Sequence, residues 1–492
     1  MPNAHPTHLD LQSVAREVMQ QRGFDPDFPA AVQQQLTELR AHPPQIAAGK
    51  DIRDLRNLLW SSIDNDTSRD LDQIEYAERR ADGDIKVLIG IADVDAFVPM
   101  LSAIDQHAAR ETTTVYAGVR NFPMLPEELS TGKTSLLETQ DCFSVVTEFV
   151  VDGGGRVTSS DVYRALVRNR AQLQYNSVGA WLENRAAAPA KVAASSDLQS
   201  QLRLQDEVAQ KLKARRFELG ALNLQTDELQ FLVLNSQSSE MSVDLQAQQK
   251  NHATELIEDF MIAANGVVAR LLEKVSSLRR IVKQPERWER IVQLAAAQGE
   301  TLPVRPDSKA LNDFLLRRKA ADPDHFADLS LAVVKLIGPG EYVLERPGEP
   351  SPGHFGLAVP DYTHSTAPNR RFPDLVTQRL IKAMLAGQAN PYTDDELAAI
   401  AVNCTEKQDA ARKVEREMSK RLAAVAMQNQ IGATFDGIVT GVTPRGTFVR
   451  ASQARVEGLL AQDAQGLDVG DKLRVKLIRT DVQHGFIDFA RA

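Results

Sequence analysis

Four aspartates fall within nine residues of the stretch Ser62-Ile63-Asp64-Asn65-Asp66-Thr67-Ser68-Arg69-Asp70-Leu71-Asp72-Gln73. Hard divalent cations such as Mg2+ take oxygen ligands, and carboxylates two to six residues apart on one loop can converge on an ion. Such a donor set suits phosphoryl transfer, in which bound cations activate a water and stabilise the leaving oxygen of an in-line displacement. The same composition also occurs in plain turns and casual calcium sites, although the EF-hand pattern, with Gly at its sixth and Glu at its twelfth position, is not met. A second stretch runs His354-Phe355-Gly356-Leu357-Ala358, then Tyr362-Thr363-His364-Ser365-Thr366-Ala367-Pro368-Asn369-Arg370-Arg371-Phe372-Pro373-Asp374. Its paired arginines after a proline turn suit a planar, permanently charged contact to phosphate, or a salt bridge to Asp374.

These loops need a scaffold. From about Ile52, short β-rich runs such as Lys86-Val87-Leu88-Ile89-Gly90-Ile91 precede longer helical stretches, Ala253 to Glu273 and Asp374 to Ala386 among them, predicting one large mixed α/β region. Arg185 to Ser196, rich in Ala and Ser around Pro189, reads as an exposed loop or helix edge. Ahead of this region, Leu11, Val14 and Val18 stopped by Gly23, then Phe28, Val32, Leu36 and Leu39 between Pro29 and Pro43-Pro44, predict two helices. They form either a cap on the next domain or a helix-turn-helix-like nucleic-acid contact; no basic recognition face stands out.

A charged helix from about Thr405 to Gln428 leads into five strand candidates: Phe435 to Val442, Gly446 to Arg450, Arg455 to Ala461, Lys472 to Thr480 and Gly485 to Ala490. Five strands in about 60 residues predict a small closed barrel of OB type, whose outer face commonly binds single-stranded nucleic acid. In the fourth strand Lys472, Arg474 and Lys476 alternate with Leu473, Val475 and Leu477, placing three cations on one face. That face fits an RNA clamp, and equally an ordinary solvated surface.

The chain has 492 residues, a net charge of −9 and 43% hydrophobic residues, which excludes wholesale disorder. No run of 18 apolar residues occurs, and the start, with His5, Pro6 and Asp10, lacks a basic region followed by an apolar one. The expectation is a cytoplasmic protein that neither spans a membrane nor is secreted. Cys142 and Cys404 lie far apart without metal-type spacing, so neither a disulfide framework nor a structural zinc site is implied. Mild acidity does not exclude nucleic acid, because phosphate responds to local basic surface. In 432–492, eight Lys and Arg stand against seven Asp and Glu, so the negative charge resides in the remainder.

Taken together, the segments resemble the ribonuclease II / ribonuclease R (RNB) family of processive 3′-to-5′ exoribonucleases, over roughly residues 50 to 430. Besides the aspartate loop, the blocks that carry the resemblance are Ile91-Ala92-Asp93-Val94, Met124 to Ser130, Arg216 to Leu222, Leu256 to Met261 with Ala264-Asn265, and Tyr362 to Leu375. The terminal barrel is similar to the S-one-type RNA-binding domain that follows the family's catalytic core. The resemblance implies a small all-α module at 1–48, a mixed α/β RNB catalytic domain at 49–430 and an all-β five-stranded OB barrel at 431–492. In usual members two cold-shock OB domains precede the core; here about 50 residues do, so RNA anchoring is expected of the barrel and the helical module.

Residue by residue, Asp64, Asp70 and Asp72 match three of the family's four active-site aspartates, and the fourth falls on Gln73. The resemblance thus implies Asp64, Asp70, Asp72 and Gln73 around Mg2+, with Mn2+ as a substitute, and catalysis by Asp70, Asp72 and Arg370. Gln73 adds no negative charge, and Asp66 is an alternative ligand. Tyr116 and Tyr175 match aromatics that hold the 3′ end by stacking, which tolerates any base. Glu258 matches an acid near the terminal ribose, while Arg371 supports structure or RNA backbone. Asn223 stands where the bacterial relative has a phenylalanine. On the barrel, Phe435, Phe448, Lys472, Arg474 and Lys476 are expected to meet RNA. The implied protein is a monomer that hydrolyses single-stranded RNA from a free 3′ end to nucleoside 5′-monophosphates. A catalytically impaired RNB-like RNA-binding protein is the alternative, and a phosphoesterase on another nucleic acid a third reading.

Overall fold

A computed structural model describes residues 10–45, 51–225, 228–234, 242–248, 250–452 and 454–492. The start of the chain around His5 and the boundary expected at 48/49 lie outside the described residues. The helical module consists of α1 (Leu11–Gln21), capped by the Asp10 carboxylate, and α2 (Ala30–Ala41), which starts directly after Pro29. Strands β1 (Ile52–Asp54), β2 (Trp60–Asp64), β3 (Gln73–Arg79) and β4 (Ile85–Ala92) follow. Next come α3 (Ala103–Glu111), the short pair β5 (Val115–Tyr116) and β6 (Asn121–Phe122), and two long strands, β7 (Asp141–Val151) and β8 (Val157–Gln174).

The apolar runs of these strands build one six-stranded sheet in the order β1-β8-β2-β3-β4-β7, with β7 also pairing β8. The 18-residue β8 pairs antiparallel with β7 through Arg168 and then parallel with β2 from Asn169 to Gln174, so both ends of the sheet meet on one strand. Ile85, Val87, Leu88, Ile89 and Ile91 on β4 are all buried, as expected of a strand covered on both faces.

Helices α4 (Tyr175–Leu182), α5 (Ala190–Ala193) and α6 (Ser196–Glu218), the hairpin β9 (Glu228–Leu234) and β10 (Ser242–Gln248), and α7 (His252–Leu271) come next. The short α5 lies inside the Ala- and Ser-rich stretch read as a loop or helix edge. Asn251 caps α7 in a capping box with Thr254, and a Cβ at Gly179 of α4 would stand 2.3 Å from that asparagine side chain. Only glycine lets α4 approach the cap. Strands β11 (Ser277–Ile281) and β12 (Glu341–Glu345) flank α8 (Trp288–Ala297), α9 (Ser308–Ala321) and α10 (Phe326–Ile337), which form a satellite core around Trp288, Phe314 and Phe326.

Helix α11 (Phe372–Leu385) begins the last helical pair and α12 (Asp394–Gln428) ends it. Helix α12 starts eleven residues before the expected Thr405, at a Thr393 to Glu396 capping box visible as Thr-Xaa-Xaa-Glu in the sequence. It enters three separate cores. Leu397, Ala401 and Cys404 join the main one, Val414, Met418 and Leu422 pack on α1, and Ala424 and Met427 enter the barrel. The barrel closes through β13 (Thr434–Thr443), β14 (Gly446–Ala451), β15 (Val456–Gln462), β16 (Lys472–Asp481) and β17 (Phe486–Arg491), in the order β13-β14-β15-β17-β16.

The N-terminal helices act as a cap. Leu11, Val18 and Met19 face α12, while Val32 and Leu36 of α2 belong to the main core. Among the described residues no helix is long and apolar enough to cross a membrane. Leu422 is fully buried where α1, α12 and the β5 segment meet. Leu422→Ala is expected to cost about 2–5 kcal/mol through the cavity it leaves, as measured by urea unfolding.

Candidate active site

The loop between β2 and β3 is anchored at Leu71. Leu71 is fully buried; its N–H donates to Ser135 Oγ at 2.9 Å and its carbonyl accepts from Leu136 N–H at 3.0 Å. The flanking Asp70 and Asp72 are thereby set on either side of a fixed point. Asp64, at the end of β2, accepts from Asn65 N–H and Ser68 Oγ, each at 2.7 Å, and burial raises its carboxyl against those two bonds. Asp66 is exposed.

Asp72 is 1% exposed and is held by the other end of the chain. Asn369 N–H donates to Oδ1 at 2.9 Å, and Arg370 Nε donates to Oδ2 at 3.1 Å. Burial pushes the Asp72 carboxyl up to about 7, against the pull of Arg370 and the Asn369 N–H and with Asp70 adding to the rise. Asp70 is half-buried and accepts from the Tyr116 hydroxyl at 3.3 Å. Tyr116 keeps 41% exposure, so the ring borders open space.

The Tyr362 to Arg371 loop is positioned from below. Asn265 of α7 donates to the Tyr362 hydroxyl at 3.0 Å and accepts from Ser365 N–H and Oγ, each at 2.9 Å. The Thr134 hydroxyl holds the Asn369 side chain, and the Arg370 carbonyl accepts from Thr114 N–H. Helix α11 then fixes the loop's exit. Ala367 N–H and Arg371 Nη2 donate to the buried Asp374 at 2.8 and 2.7 Å. At the far end of α11, Arg379 and Lys382 grip Asp93, Asp95 and Asp105 under the sheet.

The structure therefore brings Asp64, Asp70, Asp72, Arg370 and Tyr116 into one site, with Tyr175 at the first turn of α4. Burial raises the Tyr175 hydroxyl, and the charges of Asp64 and Glu75 add to it. Gln73 is nearly buried at the start of β3. Arg371 is committed to Asp374 rather than to solvent. Glu258 lies elsewhere. With Lys213, Arg216, Phe217, Asn223 and Lys319 it lines a cavity of about 350 Å3 whose walls include Asp259 but not Asp64, Asp70 or Asp72, and Lys250 pairs with it at 2.7 Å.

On the barrel, Lys472, Arg474 and Lys476 are exposed beside Ile438, Asp436 and Thr434 of β13. Lys472 and Arg474 line a groove of about 730 Å3 that also takes in His325, Asp328 and Arg450. Phe448 is half-buried. The expectation for Phe435 is corrected: its ring is 8% exposed and packs edge-on against Phe489 in the barrel core, because strand alternation sends it inward with Val439. The aromatic on the outside is Phe486, 59% exposed and stacked with His484. The alternation of Ile487 and Phe489 could have singled it out. Sequence reading also missed the Asn369 N–H, which carries no residue-type signal.

Among the described residues no three His, Cys, Asp or Glu side chains form a ready-made cation cage. The donor chemistry nonetheless fits Mg2+, which keeps several waters and takes only one or two protein carboxylates along with substrate phosphate. Asp64 and Asp72 are both raised by burial, and a nearby cation would stabilise each in the charged form.

Comparison with known proteins agrees with this architecture. The RNB domain model matches residues 52–387, and the model of the RNase II-type exonuclease C-terminal S1 domain matches residues 433–492. The chain belongs to the RNB family. Ribonuclease R of Escherichia coli is 30% identical over 451 residues, covering 88% of this chain and 54% of that protein. Ribonuclease R 1 of Lactococcus lactis is 28% identical over 507 residues, covering 96% of this chain and 60% of the relative. The chain thus spans little more than half the length of these relatives. In structure it is similar to Mycoplasma genitalium RNase R in complex with ribose methylated single-stranded RNA, with a TM-score of 0.87 and 23% identity over 98% of this chain and 78% of that one. Yeast Ssd1, a pseudonuclease, shares the fold at a TM-score of 0.72 and 18% identity over 91% of this chain and 55% of that one.

The metal-free protein should show the titration of Asp72 in its stability. The folded-state carboxyl, near 7, lies above the unfolded value of about 3.9, so the folded state retains the proton longer. The associated stability is complete below about pH 4 and is lost as pH rises through about 7, by on the order of a few kcal/mol. Urea unfolding in chelator between pH 4 and 8 measures the slope, which Asp72→Asn should flatten.

Proposed function

We propose that the chain is a metal-dependent 3′-to-5′ exoribonuclease that shortens single-stranded RNA and releases nucleoside 5′-monophosphates. The observation that carries the reading is the buried Asp72 carboxylate locked by Asn369 N–H and Arg370 Nε beside Asp70 and Asp64. Mg2+ bound by Asp64 and Asp70 would neutralise phosphate charge and make a bound water more acidic. Asp72, unable to rotate, orients the attacking water or a second ion. Arg370 uses only Nε on Asp72, and its side chain is 43% exposed, so the guanidinium edge is available to the scissile phosphate as negative charge builds.

The water oxygen bonds to phosphorus, the bond from phosphorus to the 3′ oxygen breaks, and that oxygen takes up a proton as the 3′ hydroxyl of the shortened RNA. Tyr116, exposed and tied to Asp70, supplies a stacking face for the terminal base, and Tyr175 borders the same acids. Lys472, Arg474 and Lys476 supply phosphate contacts upstream, and Glu258 belongs to the basic cavity that admits the strand.

A second reading, an RNA-binding protein without turnover, is favoured by Gln73 in place of an acid and by the likeness to a pseudonuclease. Asp64, Asp70, Asp72 and Arg370, all present and assembled, favour the enzyme. Incubation with 5′-labelled poly(A), with and without Mg2+, separates the two. Shortening from the 3′ end only with Mg2+ supports the enzyme, and an intact, bound substrate supports the alternative.

Asp72→Asn and Arg370→Ala should each lower kcat by roughly 10²–10³ with RNA affinity nearly preserved, since each removes charge stabilisation at the reacting phosphate. Turnover near the parent rate in either would sink its assignment. Replacing Lys472, Arg474 and Lys476 together by Ala should reduce the slope of log affinity against log salt by about 2, from roughly 0.7 per released phosphate contact. Filter binding across salt concentrations measures it, and an unchanged slope would take the barrel face out of the RNA path.

A further inference from the structure

Glu75 has no occupation in the site as described so far. It lies on β3 two residues beyond Gln73, so both side chains leave the same face of the strand. It is 0% exposed, and neither carboxyl oxygen has a hydrogen-bond partner. Ser61, its partner across the β2 and β3 pair, is equally buried and its Oγ is also unpaired. Gln205 reaches from α6 only to the Glu75 backbone carbonyl, at 3.4 Å. Nothing in the packing therefore uses the carboxyl. Along β3, Ile74 before it and Ala77 two residues beyond it fill buried positions without polar side-chain atoms.

The surroundings of Glu75 are acidic. Burial drives its carboxyl well above the usual range, and the only charge that adds to the effect is Asp64. The Tyr175 hydroxyl feels Asp64 and Glu75 together, which places the three groups in one neighbourhood. Arg370 tempers the charge felt by Asp64 and by the Tyr175 hydroxyl, but among the described residues no Lys or Arg acts on Glu75 itself. A buried carboxyl with no partner is costly unless it stays neutral or a positive charge completes it, and for two free oxygens on the strand face shared with Gln73 a hard cation is the fitting group.

We infer that Glu75 supplies a further negative charge to the cation site of Asp64 and Asp70, where Gln73 offers only a neutral amide oxygen. The extra methylene of glutamate lets a carboxylate one pleat deeper in the strand serve the same ion, directly or through one of its waters. With Glu75 acting through one of those waters, the ion keeps two direct carboxylates and still retains several waters. This inference rests on the metal-dependent reading above, and its test reads metal binding without RNA.

The probe is Mn2+ alone, with free ion quantified by electron paramagnetic resonance in the presence of the full chain. Glu75→Gln, which keeps shape and removes charge, should weaken Mn2+ binding roughly 10–100-fold. Adding Gln73→Asp to that variant should restore most of the affinity, which a merely structural role for Glu75 would not allow. Parent-like Mn2+ affinity in Glu75→Gln, no rescue by Gln73→Asp, or no Mn2+ binding by the parent overturns the inference. Infrared difference spectra of the parent chain carrying 13C-labelled glutamate, with and without Mg2+, serve if Glu75→Gln fails to fold. A glutamate carboxyl signal that responds to Mg2+ is expected, and a silent one overturns it. Intact metal binding with the expected variants but no RNA hydrolysis would remove the proposed activity and leave the Glu75 assignment standing.

Discussion

A carboxylate as deeply buried as Asp72 is stable only when donors surround it, and its two donors come from residues 297 and 298 positions away. That single requirement ties the start of β3 to the loop ahead of α11. Much of the remaining structure makes the meeting possible. Leu71 anchors one side in the core, Asn265 and Asp374 shape the other, and the ion pairs of Arg379 and Lys382 with Asp93, Asp95 and Asp105 hold α11 against the sheet. Removing a donor leaves a charge in a place water cannot reach, so site and fold share one set of interactions.

What could be read in the sequence follows from the range of each interaction. The aspartate loop and the five barrel strands were legible because spacing and alternation are local properties, and the structure reproduces the strands to within a residue or two. Phe435 shows the limit: its strand was read correctly, but which face turns inward depends on β16 and β17. Helix α12 was read from its charged half alone, since the segment from Asp394 to Cys404 has a different texture, and the cap at Thr393 was its only local signal. The Asn369 N–H was invisible for a different reason. Backbone donors have no identity, and only tertiary placement gives this one a role.

The charge distribution also has a division of labour. On the α11 side, acids and bases are matched, and the buried groups there are structural ion pairs. At the aspartate loop the acids outnumber the bases, with Arg370 the single guanidinium bonded to them among the described residues. A surplus of buried acid is an unstable arrangement for a protein alone and a suitable one for a protein that meets cations and phosphates together. Burial raises the carboxyls of Asp64, Asp72 and Glu75, and the neighbouring acids add a smaller push in the same direction.

The packing of α1 on α12 carries a consequence for biogenesis. Leu11, Ala15, Val18 and Met19 find their partners at Ala411, Val414, Met418 and Leu422, some four hundred residues later. On the ribosome α1 therefore emerges with its apolar stripe uncovered and waits through the synthesis of some four hundred further residues for the surface that will receive it. Such a nascent stripe is a natural recognition element for chaperones. The final docking of α1 is then a late step, in which closing a loop of that length is repaid only when α12 is already formed.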